Sequence, residues 1–231
     1  MDKLELLGRN FLFRDLDRSA LERLAALAVT RRLKKGEMLF NKGDEGDALY
    51  GVRSGNICIS TTAPNGKEII LSVMERGDVF GEIALLDGLP RTADARALES
   101  SELIMMRRRD FTSLLEREPS LAVHLLELLC ERLRNTNAML EDVAFLGLPA
   151  RLAKRLLSLA TIYGQTCEDG EMIGLKLSQS DLGQMLGTSR ESINKQLQEW
   201  VRQGFVKLGR SRVTICDRAA LQEVVEKALT A

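Results

Sequence analysis

The sequence predicts an α+β protein made of an N-terminal β-roll, or jelly roll, one long helix and a C-terminal winged helix-turn-helix. Three observations predict this class. Short strand-like segments separated by glycines fill 28–108, a heptad-spaced helical run extends from Pro119 to Gly147, and two short helices followed by a hairpin occupy 177–216. With 231 residues, of which 45% are hydrophobic, the chain can bury the cores of two modest domains.

Composition excludes several classes of site. Lys and Arg number 33, as do Asp and Glu, so the chain has no net charge and any basic patch must be local. The four cysteines, at 58, 130, 167 and 216, form no C-x-x-C pair, so a zinc ribbon or a cysteine-held cluster is hard to build. We expect free buried thiols. His124 is the only histidine, which excludes a multi-histidine metal site, and we predict no metal.

The sequence carries no signal for a membrane. Its apolar runs fall short of the roughly 18 residues that a spanning helix needs. The start, Met1-Asp2-Lys3-Leu4, does not resemble a signal peptide. We therefore expect a soluble, cytoplasmic protein that has no membrane partner.

Glycine spacing predicts the β-roll. Nine glycines between 36 and 88 suit short strands joined by tight turns. A series of short strands separated by glycines is typical of a jelly roll or barrel. Ahead of it, the capping box Ser19-Ala20-Leu21-Glu22 predicts a short helix that continues to Val29. The predicted strands are Ala48–Arg53, Ile57–Ala63, Glu68–Met74, Thr92–Ala97 and Glu102–Arg107.

The run from Pro119 to Gly147 carries a heptad seam. Positions 125, 129, 132, 136, 139, 143 and 146 step alternately by 4 and 3 residues, as in a coiled coil. We expect this seam to face the same helix of a second copy in a parallel dimer. A second apolar line would then pack on the helix's own domain, and it consists of Leu126, Leu133 and Leu140.

Two seam positions, Arg132 and Thr136, are polar, and they favour the dimer. A monomeric core helix with a wide apolar face is the alternative, but it would bury the arginine at a cost of several kcal/mol unless something paired with it. A bound anion would supply that partner.

The segment from Gly81 to Ala93 combines the residues that a phosphate needs. Gly81 permits close backbone approach, and the turn that begins at Glu82 offers free N–H groups to an anion. Arg91 can clamp a phosphate and Thr92 adds a hydroxyl donor. Glu82 beside a phosphate suits hydrogen bonds from sugar hydroxyls, so the set describes a nucleotide site. Alternatively, Glu82 merely favours a helix start and Arg91 is a solvated loop residue.

The last third of the chain has a small basic face. Residues 148–231 carry 12 basic and 9 acidic residues, and 174–212 carry seven basic against three acidic. Within this stretch, 177–197 predicts two helices around a glycine turn, the first capped by Ser178 with Asp181. Either Thr188 with Glu191, or Ser189 itself, would cap the second helix.

The second of these helices is predicted to expose polar residues that a DNA major groove accepts. After it, Phe205–Leu208 and Arg212–Cys216 predict a wing around Gly209-Arg210-Ser211. Any helical hairpin can show this spacing, but the basic residues and the wing favour DNA binding. The DNA-binding residues we predict are Ser178, Gln179, Thr188, Ser189, Arg190, Glu191, Asn194, Lys195 and Arg210.

The run Phe80-Gly81-Glu82-Ile83-Ala84-Leu85-Leu86, with Pro90-Arg91-Thr92-Ala93, resembles the phosphate-binding cassette of cyclic-nucleotide-binding domains. The resemblance implies that Glu82 holds the ribose 2′-hydroxyl and that Arg91 and Thr92 hold the cyclic phosphate. It also places Gly81, Ile83 and Ala84 in the ligand site.

Cassette and winged helix together resemble the CRP/FNR family of bacterial transcription regulators, most closely its cAMP-responsive catabolite activator subgroup. Counting back from Ala144-Phe145-Leu146 places the family's base-contacting positions at Arg132, Thr136 and Asn137, the last an amide where the subgroup has a hydroxyl. Lys195 stands where the subgroup has arginine. Thr92 replaces the usual serine, as in cGMP-preferring cassettes, so the resemblance leaves the identity of the purine base open.

The resemblance implies a homodimeric, cyclic-nucleotide-responsive regulator that binds a near-palindromic double-stranded DNA site and works with RNA polymerase. cAMP or cGMP would be its allosteric effector. A regulator of the same fold that binds a different effector, or is constitutively active, is the alternative. We expect a cyclic-nucleotide-binding β-roll over 1–118, a dimerisation helix over 119–147 and the DNA-binding domain over 148–231.

Other classes fit less well. A redox sensor would need clustered cysteines near the N-terminus, and none precedes Cys58, while a haem sensor would need a histidine in the β domain rather than His124. A kinase-type regulatory subunit would lack the winged helix. Glu82 and Asp87 could be paired carboxylates, but no nucleophile motif or P-loop accompanies them, so we predict that the protein is not an enzyme.

Overall fold

A computed structural model describes residues 7, 8 and 10–230. The segment Met1-Asp2-Lys3-Leu4, for which the sequence predicts no signal peptide, lies outside the described residues. The chain divides into two compact units. The first comprises the described residues up to 66 together with 70–133, and the second comprises 67–69 together with the described residues from 134 onward. Because this division falls within the long helix, the three-part organisation predicted from the sequence stays a prediction.

The β-roll contains two four-stranded sheets within the described part of the chain. Its strands are β1 (Val29–Leu33), β2 (Met38–Phe40), β3 (Ala48–Ser54), β4 (Ile57–Thr62), β5 (Glu68–Met74), β6 (Val79–Phe80), β7 (Asp94–Ala97) and β8 (Ser101–Arg107). One sheet has the order β1-β8-β3-β6 and the other has the order β2-β7-β4-β5. Side chains that include Val52, Ile57, Phe80 and Leu103 fill the core, which confirms the predicted β-roll.

The helix ahead of the β-roll begins and ends earlier than the capping box predicts. Helix α1 runs over Arg18–Leu27, and its N-cap is Asp17, whose carboxylate accepts a hydrogen bond from the backbone N–H of Ala20 (2.6 Å). The predicted cap at Ser19 is therefore wrong. So is the extension to Val29, because this residue pairs with Met105 in the sheet.

Three more helices complete the first unit and lead out of it. The six-residue helix α2 (Glu82–Asp87) follows β6, and α3 (Arg108–Arg117) follows β8. Helix α4 (Pro119–Phe145) is the long helix that the heptad spacing predicts. Its first turns bury Leu121 and Leu125 in an apolar cluster with Leu12, Phe13 and other residues of the first unit.

The structure contradicts part of what was predicted for the two apolar lines on α4, whereas Thr136 and Val143 of the predicted seam are exposed. Leu125, assigned to the dimer seam, is buried within its own unit. Leu126, Leu133 and Leu140, assigned to the unit's own core, are 62%, 62% and 69% exposed. The prediction was wrong because the N-terminal segment covers the side of the helix that carries Leu125.

The second unit contains the predicted winged helix-turn-helix and three features that the sequence analysis did not predict. Helices α6 (Gln179–Leu186) and α7 (Arg190–Arg202) are joined by a short turn, and the wing is the hairpin of β11 (Val206–Gly209) and β12 (Arg212–Ile215). The unpredicted features are a helix ahead of the helix-turn-helix, an additional hairpin and a terminal helix. The remaining elements are α5 (Leu148–Tyr163), β9 (Gly164–Cys167), β10 (Gly170–Ile173) and α8 (Arg218–Thr230).

The cysteines are free thiols, but they are not all buried. Cys58 lies in the core of the β-roll, whereas Cys130 and Cys167 are exposed and Cys216 is half-buried. The expectation of buried thiols was therefore wrong for the two exposed residues. His124 is buried on α4 with Nε2 3.0 Å from a carboxylate oxygen of Asp15, which fits a structural role.

Candidate ligand and nucleic-acid sites

Gly81 joins β6 to the short helix α2, and its backbone requires glycine. It adopts φ +85°, and a Cβ there would lie 2.7 Å from Nη1 of Arg91. A left-handed conformation together with a contact this close excludes any larger residue without a shift of the arginine. The turn therefore brings the backbone of Gly81, the start of α2 and Arg91 together.

Glu82 is the first residue of α2 and is only 1% exposed. Its Oε1 lies 3.1 Å from Nε of Arg132, which α4 supplies. The two charges are close, but their alignment is poor, and among the described residues neither carboxylate oxygen accepts a hydrogen bond. A buried carboxylate without hydrogen bonds is costly. Hydroxyl groups of a ligand would satisfy it.

Arg91 is 4% exposed, so the alternative interpretation of a solvated loop residue is wrong. Its guanidinium donates from Nη1 to the carbonyl of Gly81 (2.9 Å) and from Nη2 to that of Ala48 (2.8 Å). It also lies 4.3 Å from the ring centroid of Phe40. Burial lowers the pKa of Arg91. Nε is buried and has no hydrogen-bond partner among the described residues, so a donor remains for an anion.

Arg132 connects the cassette to the long helix. Besides its contact with Glu82, its Nη2 donates to the carbonyl of Val79 (2.6 Å), the first residue of the strand that precedes Gly81. Arg132, a polar position of the predicted heptad seam, is thus paired within the first unit. Thr136 and Asn137, the other two helix positions predicted for the ligand, are exposed on α4.

A cleft joins these groups. It contains seven of the nine residues predicted for the ligand, and aromatic and aliphatic side chains form its remaining walls. Its lining consists of Phe40, Ile59, Phe80, Gly81, Glu82, Ile83, Ala84, Arg91, Thr92, Ala93 and Arg132. A carboxylate, an arginine with a remaining donor and apolar walls are what a sugar phosphate with an attached base requires.

The helix-turn-helix forms because both of its helices are capped. Ser178 accepts from the N–H of Asp181, whose carboxylate accepts from the N–H of Ser178, which confirms the predicted capping box. Ser189 caps α7 by accepting from the N–H of Ser192 (3.1 Å). The alternative cap at Thr188 is therefore wrong. Hydrogen bonds from its own backbone and from the side chain of Ser189 lower the pKa of Glu191.

Helix α7 separates an apolar face from a polar one. Ile193, Leu197 and Trp200 are buried. The exposed face carries Arg190, Glu191, Asn194 and Lys195, as predicted. In the same unit, a groove between this helix and the wing is lined by residues that include Ser178, Gln179, Arg190, Gly209, Ser211 and Arg212. Arg210 is exposed at the tip of the wing.

Comparisons with known proteins match both domains of the chain. The family model of the cyclic nucleotide-binding domain matches residues 30–118, and that of the Crp-like helix-turn-helix domain matches residues 150–224. The chain is 34% identical over 218 residues to the CRP-like cAMP-activated global transcriptional regulator of Mycobacterium tuberculosis H37Rv, which covers 94% of this chain and 97% of that protein. This protein belongs to the CRP/FNR family of transcription regulators.

Further relatives of the regulator extend the comparison. It is 34% identical over 202 residues to the cyclic AMP receptor protein of Thermus thermophilus, a match that covers 87% of this chain and 90% of that one. The structure of the global regulator CLP from Xanthomonas campestris, described as c-di-GMP responsive, superposes with a TM-score of 0.78 over 86% of this chain and 99% of that chain at 24% identity. This last likeness shows the fold alone.

The family assigns the regulator to transcription control rather than to enzymes. Within residues 7, 8 and 10–230, no group of three or more His, Cys, Asp or Glu side chains could hold a metal ion. In the same described residues, no helix combines the length and apolar character needed to cross a bilayer.

Sequence reasoning missed the aromatic support of the ligand site. Phe40 and Tyr50 lie 5.8 Å apart between ring centroids, and both flank the guanidinium of Arg91. Burial raises the pKa of Tyr50. Each residue belongs to a strand distant in sequence from Arg91, so only the pairing of the strands, and no local motif, could have revealed them.

Two of the seven basic residues in 174–212 are paired within the regulator's second unit. Lys207 contacts Asp169, and this hydrogen bond raises the pKa of the lysine. Arg202 contacts Glu199 on its own helix. The basic face is therefore weaker for phosphates than the residue count predicts.

Proposed function

We propose that this chain is a cyclic-nucleotide-responsive transcription regulator that binds DNA as a homodimer. The observation that carries the effector is Glu82, a buried carboxylate whose two oxygens accept no hydrogen bond among the described residues. It lies in the same cleft as Arg91, which retains a buried N–H donor. A ribose hydroxyl and a cyclic phosphate would satisfy both groups, because the hydroxyl donates to the carboxylate and the phosphate accepts from the arginine.

In this proposal, different cassette residues bind different parts of the nucleotide. Glu82 binds the ribose, whereas Arg91, Thr92 and the backbone of Gly81, Ile83 and Ala84 bind the cyclic phosphate. The base extends toward α4, where Arg132, Thr136 and Asn137 are the contacts. The relatives from Mycobacterium tuberculosis and Thermus thermophilus are named for cAMP, so cAMP is the first candidate and cGMP the second.

The exposed side of α4 supports the homodimer. It carries a heptad line in steps of 4 and 3 residues, and every member is exposed. The line consists of Leu126, Cys130, Leu133, Asn137, Leu140 and Ala144. A second copy of the same helix, parallel and in register, would cover these side chains. Two α7 helices would then read two halves of a near-palindromic duplex, with wing residues on phosphates.

The remaining parts of the proposal follow from transcription control. Such a regulator works in the cytoplasm, where the DNA is, and RNA polymerase is its expected partner. A different effector of the same cleft is the second candidate, since a relative of the same fold is described as responsive to c-di-GMP.

Calorimetric titration with cAMP and with cGMP tests the ligand site. Arg91→Ala should weaken binding at least tenfold, because removing a charge-assisted partner from a buried anion costs about 2–5 kcal/mol. Glu82→Gln, which keeps the shape of the side chain, should also bind more weakly. The control is Arg18→Ala, which removes a fully solvated guanidinium that pairs only with Glu22 in the described contacts.

Arg91 also supports the fold through two carbonyls, so thermal unfolding must accompany the titration. Normal nucleotide binding by folded Arg91→Ala and Glu82→Gln would show that the nucleotide lies elsewhere. Failure of both nucleotides to bind the wild-type protein would favour a different effector.

A further inference from the structure

The DNA-binding unit contains a hydrogen bond between two side-chain amides. Gln179 is the first residue of α6, and its Nε2 donates to Oδ1 of Asn194 on α7 (3.1 Å). Gln179 is half-buried at the edge of the groove, whereas Asn194 is exposed. The bond therefore joins a residue of the supporting helix to a residue on the outer face of the helix that is proposed to enter the groove.

Asn194 has the position of a base-contacting residue. It lies one turn beyond Arg190 on the same exposed face, next to Lys195, while Ile193 on its other side is buried. Residues near the start of a recognition helix reach base edges. An exposed asparagine at this position would otherwise rotate freely about χ2 and present its oxygen or its nitrogen to the groove.

The hydrogen bond restricts that rotation. One lone pair of Oδ1 accepts from Gln179, which favours one orientation of the Asn194 amide. The second lone pair of Oδ1 and the two N–H groups of Nδ2 remain. In the major groove, adenine presents an N–H donor at N6 and an acceptor at N7, which is the complement of this pair of groups.

We propose that Asn194 reads an adenine in each half-site and that Gln179 is the positioning residue that holds its amide in the reading orientation. This inference rests on the proposed DNA binding. It adds a specific base contact to that function and assigns a role to a residue of the supporting helix. Gln179 acts here through Asn194 and not as an independent phosphate contact.

The test measures base discrimination. The wild-type protein, with cAMP, selects a palindromic 30-base-pair duplex from a randomised pool, and fluorescence anisotropy then gives its affinity for every symmetric single-base variant. At one A·T position, the wild type should lose about 5- to 150-fold in affinity per half-site when the adenine is replaced. Asn194→Ala should abolish discrimination there and leave it intact at the other positions.

Gln179→Ala should reduce the same discrimination by about 2- to 10-fold, the value of one hydrogen bond. It should add nothing in the Asn194→Ala background, because its effect passes through that residue. Gln179→Glu gives the sharpest result. Glutamate cannot donate, so the Asn194 amide must turn and donate Nδ2 to it, which exchanges the places of its oxygen and nitrogen. The amide then no longer matches the N6 donor and N7 acceptor of adenine, so the preference for adenine at that position should be lost.

Gln203→Ala is the matched control, because it removes an amide that donates to Glu199 (3.0 Å) at the opposite end of α7. It should leave discrimination at every position unchanged. If Gln179→Ala weakens all duplexes equally, Gln179 is a phosphate contact and the inference is wrong. It is equally wrong if Asn194→Ala retains every preference while the wild type still selects a site. A wild-type protein that selects no duplex would contradict the proposed function itself.

Discussion

Asp78 is a half-buried carboxylate near the ligand site. It precedes β6 and accepts a hydrogen bond from the backbone N–H of Glu75 (2.8 Å). Burial raises its pKa, and this effect exceeds the opposing effects of the hydrogen bond and of the positive charge of Arg132. The folded protein therefore holds the Asp78 proton more tightly than the unfolded chain does.

This shift predicts how Asp78→Asn changes stability. A carboxyl group whose folded pKa is raised contributes stability at pH values below its unfolded pKa, and this contribution is lost as pH rises through the folded pKa. Asparagine keeps an oxygen for the Glu75 N–H but carries no charge. We expect Asp78→Asn to have a higher free energy of unfolding than the wild type at neutral pH. This difference should decrease as the pH is lowered.

Urea unfolding between pH 4 and pH 8, at one protein concentration, measures this difference. Asp87→Asn is the control, because Asp87 also accepts a backbone N–H, from Leu89 (2.9 Å), but is exposed. A variant that is less stable at neutral pH, or a gain that grows on acidification, would contradict the assignment.

At the scale of elements, the sequence predicts the type of each helix or strand and the residues that form it. It does not predict which neighbouring element packs on each face. The cassette and both capped helices of the helix-turn-helix are local, and their residues were found where the motifs place them. On α4, Leu125 was assigned to the wrong face because both apolar lines show heptad spacing. Which face of α4 is buried depends on Leu12 and Phe13, which lie more than 100 positions earlier in the sequence and pack beside Leu125.

The exposed line on α4 predicts which substitution separates the proposed homodimer. Leu133→Glu would place two carboxylates side by side at a symmetric, parallel contact, and like charges in that position cost several kcal/mol. We expect the dimer dissociation constant to rise at least tenfold, measured by sedimentation velocity at micromolar concentration.

Asn135→Glu is the control for this change, since Asn135 is exposed on the same helix but lies off the line. The fold of the first unit should persist in both variants, because the Leu133 side chain is 62% exposed. If Leu133→Glu dimerises as tightly as the wild type, the subunit contact uses another face.

At the scale of the whole molecule, the contact between Glu82 and Arg132 connects the proposed effector site to the long helix α4. The two charged atoms are 3.1 Å apart, one in the cassette and one on α4. A nucleotide that hydrogen-bonds Glu82 must change this pair directly. Because α4 continues to Phe145 and α5 begins at Leu148, the end of α4 is adjacent in the chain to residues 150–224, which match the helix-turn-helix domain.

A ligand controls DNA binding only if it prefers one of two arrangements of the dimer. We expect cAMP to raise operator affinity by about 5- to 150-fold, which corresponds to a coupling of about 1–3 kcal/mol. Thermodynamic linkage then requires operator DNA to raise cAMP affinity by the same factor. Thr136→Ala, which changes an exposed residue of α4, should bind cAMP with a modest loss yet show a smaller factor in both directions.

Anisotropy titrations of labelled operator, with and without cAMP, give one factor, and calorimetry of cAMP, with and without operator, gives the other. Both are measured at one salt concentration, since phosphate contacts make DNA affinity depend on salt. Unequal factors would reveal a further linked step, such as dimerisation, that changes with protein concentration. A factor of one in both directions would contradict effector control, because a nucleotide that binds without differential affinity shifts no equilibrium.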